Sequence, residues 1–347
     1  MPLMTVLGDV DPSAIGVVSP HEHIVVDIRN QYTEPVDVFR GNLGRKRVNI
    51  RNLDVLSRDP YAVKDNLVLD NRRLAHDELI RFKQAGGGGL VDATSVGIGR
   101  NPLLLKKISR STGLHIIAGC GYYTVDTHPL YLADKTVDDI QSEIVSDIQS
   151  GIGDSGIRAG VIGEIGTSAE IHENEKRVLI AAARAQAVTG AGLIVHTYPW
   201  GKTGLEALAI AEANGADTFK VSINHVDVVL DADYCKAIMD RGAYIEFDDL
   251  GKEYFIDRPN RGYSGGVFAR DIDRVKLIKE LVDAGYAGHI LLSCDVCLKT
   301  LLHRYGGWGY DHVLTHIVPM LEEEGISSRD TGTMVKQNPI QFLNIPE

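Results

Sequence analysis

Short apolar strands alternate with amphipathic helices along most of this chain, and that alternation restricts the fold more than any single motif does. The strands read as 16–23, 90–94, 115–120, 159–164, 193–196, 219–225, 243–247 and 289–295. Helical periodicity covers 71–84, 102–112, 137–150, 174–189, 204–214, 231–241 and 271–284 between and after them. Such a rhythm implies parallel sheet, because parallel neighbours need a crossover and antiparallel ones only a turn. Eight units predict an α/β fold of the closed (β/α)8 TIM barrel type. A doubly wound sheet would more often show Gly-x-Gly-x-x-Gly after its first strand, and none is there.

The chain should form one domain over 1–347, with two appendages. Residues 31–70 carry Pro35, Pro60 and the basic run Arg45-Lys46-Arg47 with little periodicity, and read as a loop insertion lying over the mouth of the fold. A last helix over 312–324 would close the barrel, and 330–347 reads as a tail packed outside it. The four glycines Gly86 to Gly89 precede a strand instead of opening a helix, so they read as a plain helix-to-strand turn and not as a phosphate cradle.

Composition excludes several classes of function. Charged residues are 24% and hydrophobic ones 44%, which is ordinary globular usage and not that of a disordered chain. A net charge of −11 and the lack of a recognisable binding motif argue against nucleic acid and anionic membrane as partners. Four cysteines are too few for a disulfide scaffold, and Cys294-x-x-Cys297 has no second pair to complete a zinc ribbon. The first residues lack a basic region followed by an apolar one, and nowhere do eighteen uncharged apolar residues run together. A cytoplasmic protein acting on a small molecule is the expectation.

The chemistry lies where the strands end. His21 and His23 close the first strand, and residues two apart on a strand share a face, so both imidazoles can converge on one ion. Glu164 closes the fourth strand, His196 the fifth, His225 the sixth and Asp295 the eighth. Any one of these alone would read as a buried, hydrogen-bonded polar group. In a closed parallel barrel all C-terminal strand ends share one rim, so six residues far apart in sequence meet there. Four imidazoles and two carboxylates exceed the needs of one tetrahedral ion and indicate two, bridged by a carboxylate and a solvent molecule.

Over nearly its whole length the sequence resembles the phosphotriesterase family of the amidohydrolase superfamily. The likeness is carried by His21-Glu22-His23-Ile24, Val91-Asp92-Ala93-Thr94 through Gly97-Ile98-Gly99-Arg100-Asn101, and Gly163-Glu164-Ile165-Gly166-Thr167-Ser168. It continues through Val195-His196-Thr197, Asn224-His225-Val226-Asp227, Ser293-Cys294-Asp295 and Tyr305-Gly306-Gly307-Trp308-Gly309-Tyr310-Asp311-His312. The resemblance implies His21, His23 and Asp295 on a more buried metal, His196 and His225 on a more exposed one, and Glu164 between them. Many members bridge their metals with a carboxylated lysine, whereas Glu164 matches the glutamate-bridged branch. A homodimer is a further expectation from the family.

The activity these residues imply is metal-assisted hydrolysis by two divalent ions, zinc by default, with manganese, cobalt or iron also compatible with the donor set. Asp295 is the expected catalytic residue, ligating one ion and accepting the proton of the attacking hydroxide. Glu22 should point away from the metals. The segment after strand seven holds Lys252, Tyr254, Arg258, Arg261, Tyr263 and Arg270, an excess of donors suited to phosphate or carboxylate. Lys252, Arg261 and Tyr263, with Tyr122 after strand three, are the candidate substrate-binding residues. The resemblance implies a lactonase, and the cationic loop favours an anionic sugar lactone, such as a phosphorylated one, as the leading expectation. A phosphotriesterase or other ester or amide hydrolase is the alternative, and a non-catalytic ligand-binding barrel the remote one.

Overall fold

The computed structural model describes residues 2–36 and 42–345. Eight parallel strands form one sheet rolled into a nearly closed barrel: β1 (Val17–Glu22), β2 (Gly87–Asp92), β3 (His115–Cys120), β4 (Val161–Gly166), β5 (Leu193–His196), β6 (Val221–Ile223), β7 (Tyr244–Phe247) and β8 (Ile290–Leu292). Each is hydrogen-bonded to the next in sequence, from β1 to β8. At the seam between β1 and β8 a side chain takes the place of the ladder. Glu22 accepts from the Cys294 amide at 3.0 Å, from the Val296 amide at 2.8 Å and from the Ser19 hydroxyl at 2.8 Å. The residue between the two histidines therefore points away from them, as expected, and holds the barrel shut.

Helices cover the outside in the expected order: α1 (Arg72–Gln84), α2 (Pro102–Thr112), α3 (Val137–Gln149), α4 (Glu173–Thr189), α5 (Gly204–Ala213), α6 (Ala232–Met239) and α7 (Asp271–Asp283). Their ends follow from local chemistry. Asn101 caps α2 through the Leu104 amide with Pro102 in the first turn, and Thr136 and Asp139 form a reciprocal capping box on α3. Inward residues Val18, Val91, Ile117, Val161, Ile194, Tyr244 and Leu291 fill the barrel interior, so it is a packed core and not a pore.

Two readings need correction here. Within the stretch read as an outer tail over 330–347, the described residues 330–345 are not laid outside the barrel. They carry α9 (Asn338–Leu343), which follows α8 (Val318–Glu323), and the buried Phe342 and Leu343 of α9 join the interior cluster with Leu3 and Ile15. An apolar plug at that end removes the open barrel base from water. Nor are the glycines a simple turn. Only Gly86, at φ +102°, makes the turn, and Gly87 to Gly89 lie within β2. A side chain at Gly88 would sit 1.6 Å from the Ile15 carbonyl oxygen, so glycine is required by close approach of the backbone.

The insertion is held by specific ties. Val26–Asp27 pairs antiparallel with Val68–Leu69 at its base, the Lys299 ammonium meets Asp65 at 2.7 Å, and Asn66 accepts from the Thr300 amide at 2.9 Å. Residues 37–41 of it lie outside the described residues.

Candidate metal centre

All six rim residues meet. His21, His23 and Asp295 form one triad of donor atoms, and Glu164, His196 and His225 another, each with its atoms within 4.8 Å of one another. Glu164 reaches both sides. Its Oε1 lies 3.1 Å from His23 Nε2, while Oε2 lies 3.6 Å from His21 Nε2 and 3.2 Å from His196 Nδ1. Asp295 Oδ1 is 3.2 Å from His23 Nε2 and 3.8 Å from His21 Nε2. Separations of ~3.3 Å are those of two ligands each about 2.0–2.1 Å from one shared ion in tetrahedral geometry. Glu164 is not terminal in its strand, since β4 runs on to Gly166. His21 lies within β1 and His23 just past it, His196 ends β5, and His225 and Asp295 lie just past β6 and β8.

Whether a metal fits can be judged from the atoms without partners. His21 Nε2 and Asp295 Oδ1 are buried and hydrogen-bonded to nothing, although buried polar atoms are almost always satisfied. Both face the other triad members, so a cation there would satisfy them. The backbone is also strained at two of these residues. His225 has φ +61° and Asp295 φ +42°, conformations that non-glycine residues seldom adopt outside functional sites.

Behind the two triads stands Asp248, fully buried, with one oxygen on each of two rings. Its Oδ2 is 3.1 Å from His21 Nδ1 and its Oδ1 3.0 Å from His225 Nδ1, and Oδ1 also accepts from the His225 amide. Both rings are thereby fixed with Nε2 toward the centre. Thr94 does the same for His23, at 2.8 Å from Nδ1. His196 is reversed. It offers Nδ1 to Glu164 and turns Nε2 to the Tyr263 hydroxyl at 3.3 Å.

The electrostatics match a cation site. Burial on its own would lower the His21 and His23 pKa values, but Asp248 for one, and Asp295 and Glu164 for both, outweigh it and raise them to about 9 and about 10. Burial would raise Glu164 and Asp295, yet hydrogen bonds from His196 and His23 hold Glu164 low. Lys252 and His23 do the same for Asp295. Without a metal the imidazoles compete for protons, which an incoming ion must displace.

A narrow cavity lined by His23, Glu164, His196, His225 and Asp295 opens onto both triads. Two of the four candidate substrate residues line it and two do not. Lys252 is there, but its ammonium already sits 2.9 Å from Asp249 Oδ1 and pairs with Asp295 Oδ2, while Arg274 holds its carbonyl. Tyr263 lines the wall through His196. Tyr122 instead turns its hydroxyl outward to Glu143 at 2.7 Å, because the next residue, Tyr123, takes the inward position at His196. Arg261 is exposed and donates to the Ile256 carbonyl, bracing its own loop and facing away from the cavity.

Some participants were missed in the sequence. Asp248 and Asp249 follow β7 directly, the same strand-end signal that picks out the six rim residues, and could have been found by it. Gln31 and Tyr61, which also line the cavity, come from the insertion, where no periodicity marks them. Among the described residues no helix is long and apolar enough to cross a membrane.

Comparison with known proteins agrees with this geometry. The profile of the phosphotriesterase family matches residues 1–343. The N-acetyltaurine hydrolase of Danio rerio is 34% identical over 350 residues, covering 98% of this chain and 97% of that protein. A resiniferatoxin-binding protein from Rhodobacter sphaeroides superposes with a TM-score of 0.95 at 35% identity, covering 99% of this chain and 95% of that one. A variant of a phosphotriesterase-like lactonase from Deinococcus radiodurans gives a TM-score of 0.77 at 25% identity, with 99% and 100% covered.

Proposed function

Because the chain belongs to the phosphotriesterase family and is a metal-dependent hydrolase of ester or amide bonds, we propose that its substrate is a small acetamide-type compound carrying an acid group, cleaved at a two-metal centre. The observation that carries the reading is the pair of triads, with Glu164 of one reaching His21 and His23 of the other, and with His21 Nε2 and Asp295 Oδ1 left for a cation. His21, His23 and Asp295 would hold one ion, and His196 and His225 the other, with Glu164 between; zinc is the default. Two such ions supply Lewis acidity, acidifying a water near neutral pH and drawing electron density from the scissile carbonyl.

The chain's own groups do the rest. Asp295 has one oxygen toward the imidazoles and the other, Oδ2, on Lys252. That placement lets its carboxylate take the proton of the attacking water and return it to the leaving nitrogen. Tyr123 and Tyr263 bracket His196 and, with Phe268 and Leu298, narrow the cavity against bulk water. Among the described residues Lys252 is the one Lys or Arg that lines the cavity, which suits a substrate with an acid group.

The amide reading is favoured over a sugar lactone by the full-length likeness to N-acetyltaurine hydrolases. A lactone remains the second reading, supported by the likeness to the phosphotriesterase-like lactonase, and requires the same carbonyl chemistry. Purified protein reconstituted with zinc should be assayed on N-acetyltaurine, N-acetyl-β-alanine, lactones with and without phosphate, and a phosphotriester. The highest kcat/KM is expected on an acid-bearing acetamide. Faster turnover of lactones would overturn the amide reading, and no turnover with two metal equivalents bound would overturn both.

A further inference from the structure

The cavity is also lined by two polar side chains that the proposed hydrolysis does not use. Gln31 and Tyr61 are 6% and 8% exposed, both line the cavity, and neither side chain is hydrogen-bonded to any described residue. Their polar atoms are not enclosed but reach the cavity, so an amide and a phenol without protein partners on one cavity lining are free to hydrogen-bond a ligand there. Their burial pushes the Tyr61 phenol well above its ordinary pKa, which keeps it a hydrogen-bond donor at any physiological pH.

Their juxtaposition is built by the fold. Gln31 ends a short helical turn, Arg29–Gln31, and Tyr61 lies on the returning limb of the same insertion. The limbs are stitched together by the Thr33 amide donating to the Tyr61 carbonyl at 3.3 Å and the Ile28 amide donating to the Leu67 carbonyl at 3.0 Å. Tyr61 also meets the edge of Tyr263, with ring centroids 6.2 Å apart, and the Tyr263 hydroxyl is 3.3 Å from His196 Nε2. Tyr61 is thus one aromatic ring removed from the metal-facing histidines. A substrate whose carbonyl lies at the triads would place its far end beside these residues.

We propose that Gln31 and Tyr61 are specificity-determining residues that receive the oxyanion at the end of the substrate remote from the scissile bond, together with the Lys252 N–H that neither Asp249 nor Asp295 occupies. This rests on the hydrolysis of an acid-bearing amide proposed for the same cavity. The ligand chemistry is a sulfonate or carboxylate, whose several acceptor oxygens can take donors from an amide, a phenol and an ammonium at once. Lys252 alone is too committed to do this, because two carboxylates already neutralise it. The insertion therefore selects the substrate, while the barrel rim cleaves it.

The test uses the full-length zinc-reconstituted protein with Gln31→Leu and Tyr61→Phe, the latter removing one oxygen and keeping the ring against Tyr263. N-acetyltaurine and N-acetyl-β-alanine separate sulfonate from carboxylate, and N-acetylpropylamine lacks either. For the preferred acid, each variant should raise KM at least tenfold with kcat within threefold, while KM for the neutral amide moves less than threefold. Equal rises for acid and neutral substrates, or no rise, would overturn the assignment. Should the wild type turn over none of these, the functional reading fails and a binding measurement decides this proposal separately. Thermal protection of zinc-loaded protein by taurine or β-alanine, lost in both variants, would support it; equal protection in all three proteins, or none in the wild type, would overturn it.

Discussion

The two walls of the cavity are built from different kinds of chain. The metal-facing wall stands on strand ends: each donor sits within or just beyond a strand whose neighbours are fixed by the barrel ladder, and Asp248 locks two of the rings from behind. The other wall hangs on the insertion and on the segment after β7, which are joined by side chains. Arg58 donates to the Phe255 carbonyl at 3.0 Å, meets Asp257 at 2.7 Å and lies over the Phe255 ring. A wall set by sheet geometry can be mutated only at the expense of chemistry, while a wall set by exposed ties can be retuned for new substrates with the centre intact.

The comparison breaks most directly at Asp295. Asp295→Asn keeps one oxygen for a ligand and removes the proton acceptor, so kcat should fall by about 10²–10⁴, the span usual for a general acid–base group. Metal content by elemental analysis should stay near that of the wild type. Turnover like the wild type's would remove Asp295 from the proton path.

Next in size is Asp248→Ala, which touches no substrate. It removes the carboxylate from Nδ1 of His21 and of His225, one from each triad, leaving them only Asn224 and the more distant Asp249, and metal affinity in chelator competition should fall about 10–100-fold. Unchanged affinity would mean that the rings are oriented without Asp248. A loss confined to one metal equivalent would show that only one of the two rings depends on Asp248.

The same contrast governs what could be read from the sequence. The fold and the six rim residues were legible because β-strand periodicity and strand ends are local signals, and the barrel converts them into position with few alternatives. Glu22 was legible for the same reason, by alternation on β1, although not its task of closing the seam through the Cys294 and Val296 amides. The loops obey no such rule. Tyr122 and Tyr123 are adjacent past the end of β3, so a displacement of one residue decides which ring meets His196 and which meets Glu143. Lys252 was found by its charge, but the two carboxylates that occupy it come from β7's end and from beyond β8, and only folding brings them together. Gln31 and Tyr61 are thirty positions apart in a stretch without periodicity, and their meeting depends on backbone hydrogen bonds that composition does not encode. The 330–347 segment was misread because its apolar residues, Phe342 and Leu343 among them, are few and their partners are the distant Leu3 and Ile15.

A smaller effect should come from loosening the second wall alone. Arg58→Ala cuts the ties to Asp257 and the Phe255 carbonyl, groups that are partly exposed, so the loss should be about 0.2–1 kcal/mol. If the insertion and the post-β7 segment set substrate affinity together, KM for the acid-bearing substrate rises by up to about fivefold, as that energy allows. Metal content and kcat should stay near the wild type. A fall in metal affinity would show that the two walls are coupled and not independent.

The smallest effect is expected at Arg261, and it sharpens the comparison because charge alone would predict the opposite. Its guanidinium Nε donates to the Ile256 carbonyl across the loop, beside Gly266, whose φ of +118° and lack of a side chain leave room for it. That bond braces residues 256–266 from the solvent side, and no atom of Arg261 lines the cavity. Arg261→Ala should therefore lower stability by about 0.5–1.5 kcal/mol, the worth of one hydrogen bond. Steady-state kinetics on acid-bearing and neutral substrates in parallel should show the same kcat/KM ratio as the wild type, to within about twofold, or ~0.4 kcal/mol. A tenfold loss confined to the acid would place the arginine over the substrate in solution and move anion recognition from the buried Gln31 and Tyr61 to the outer loop.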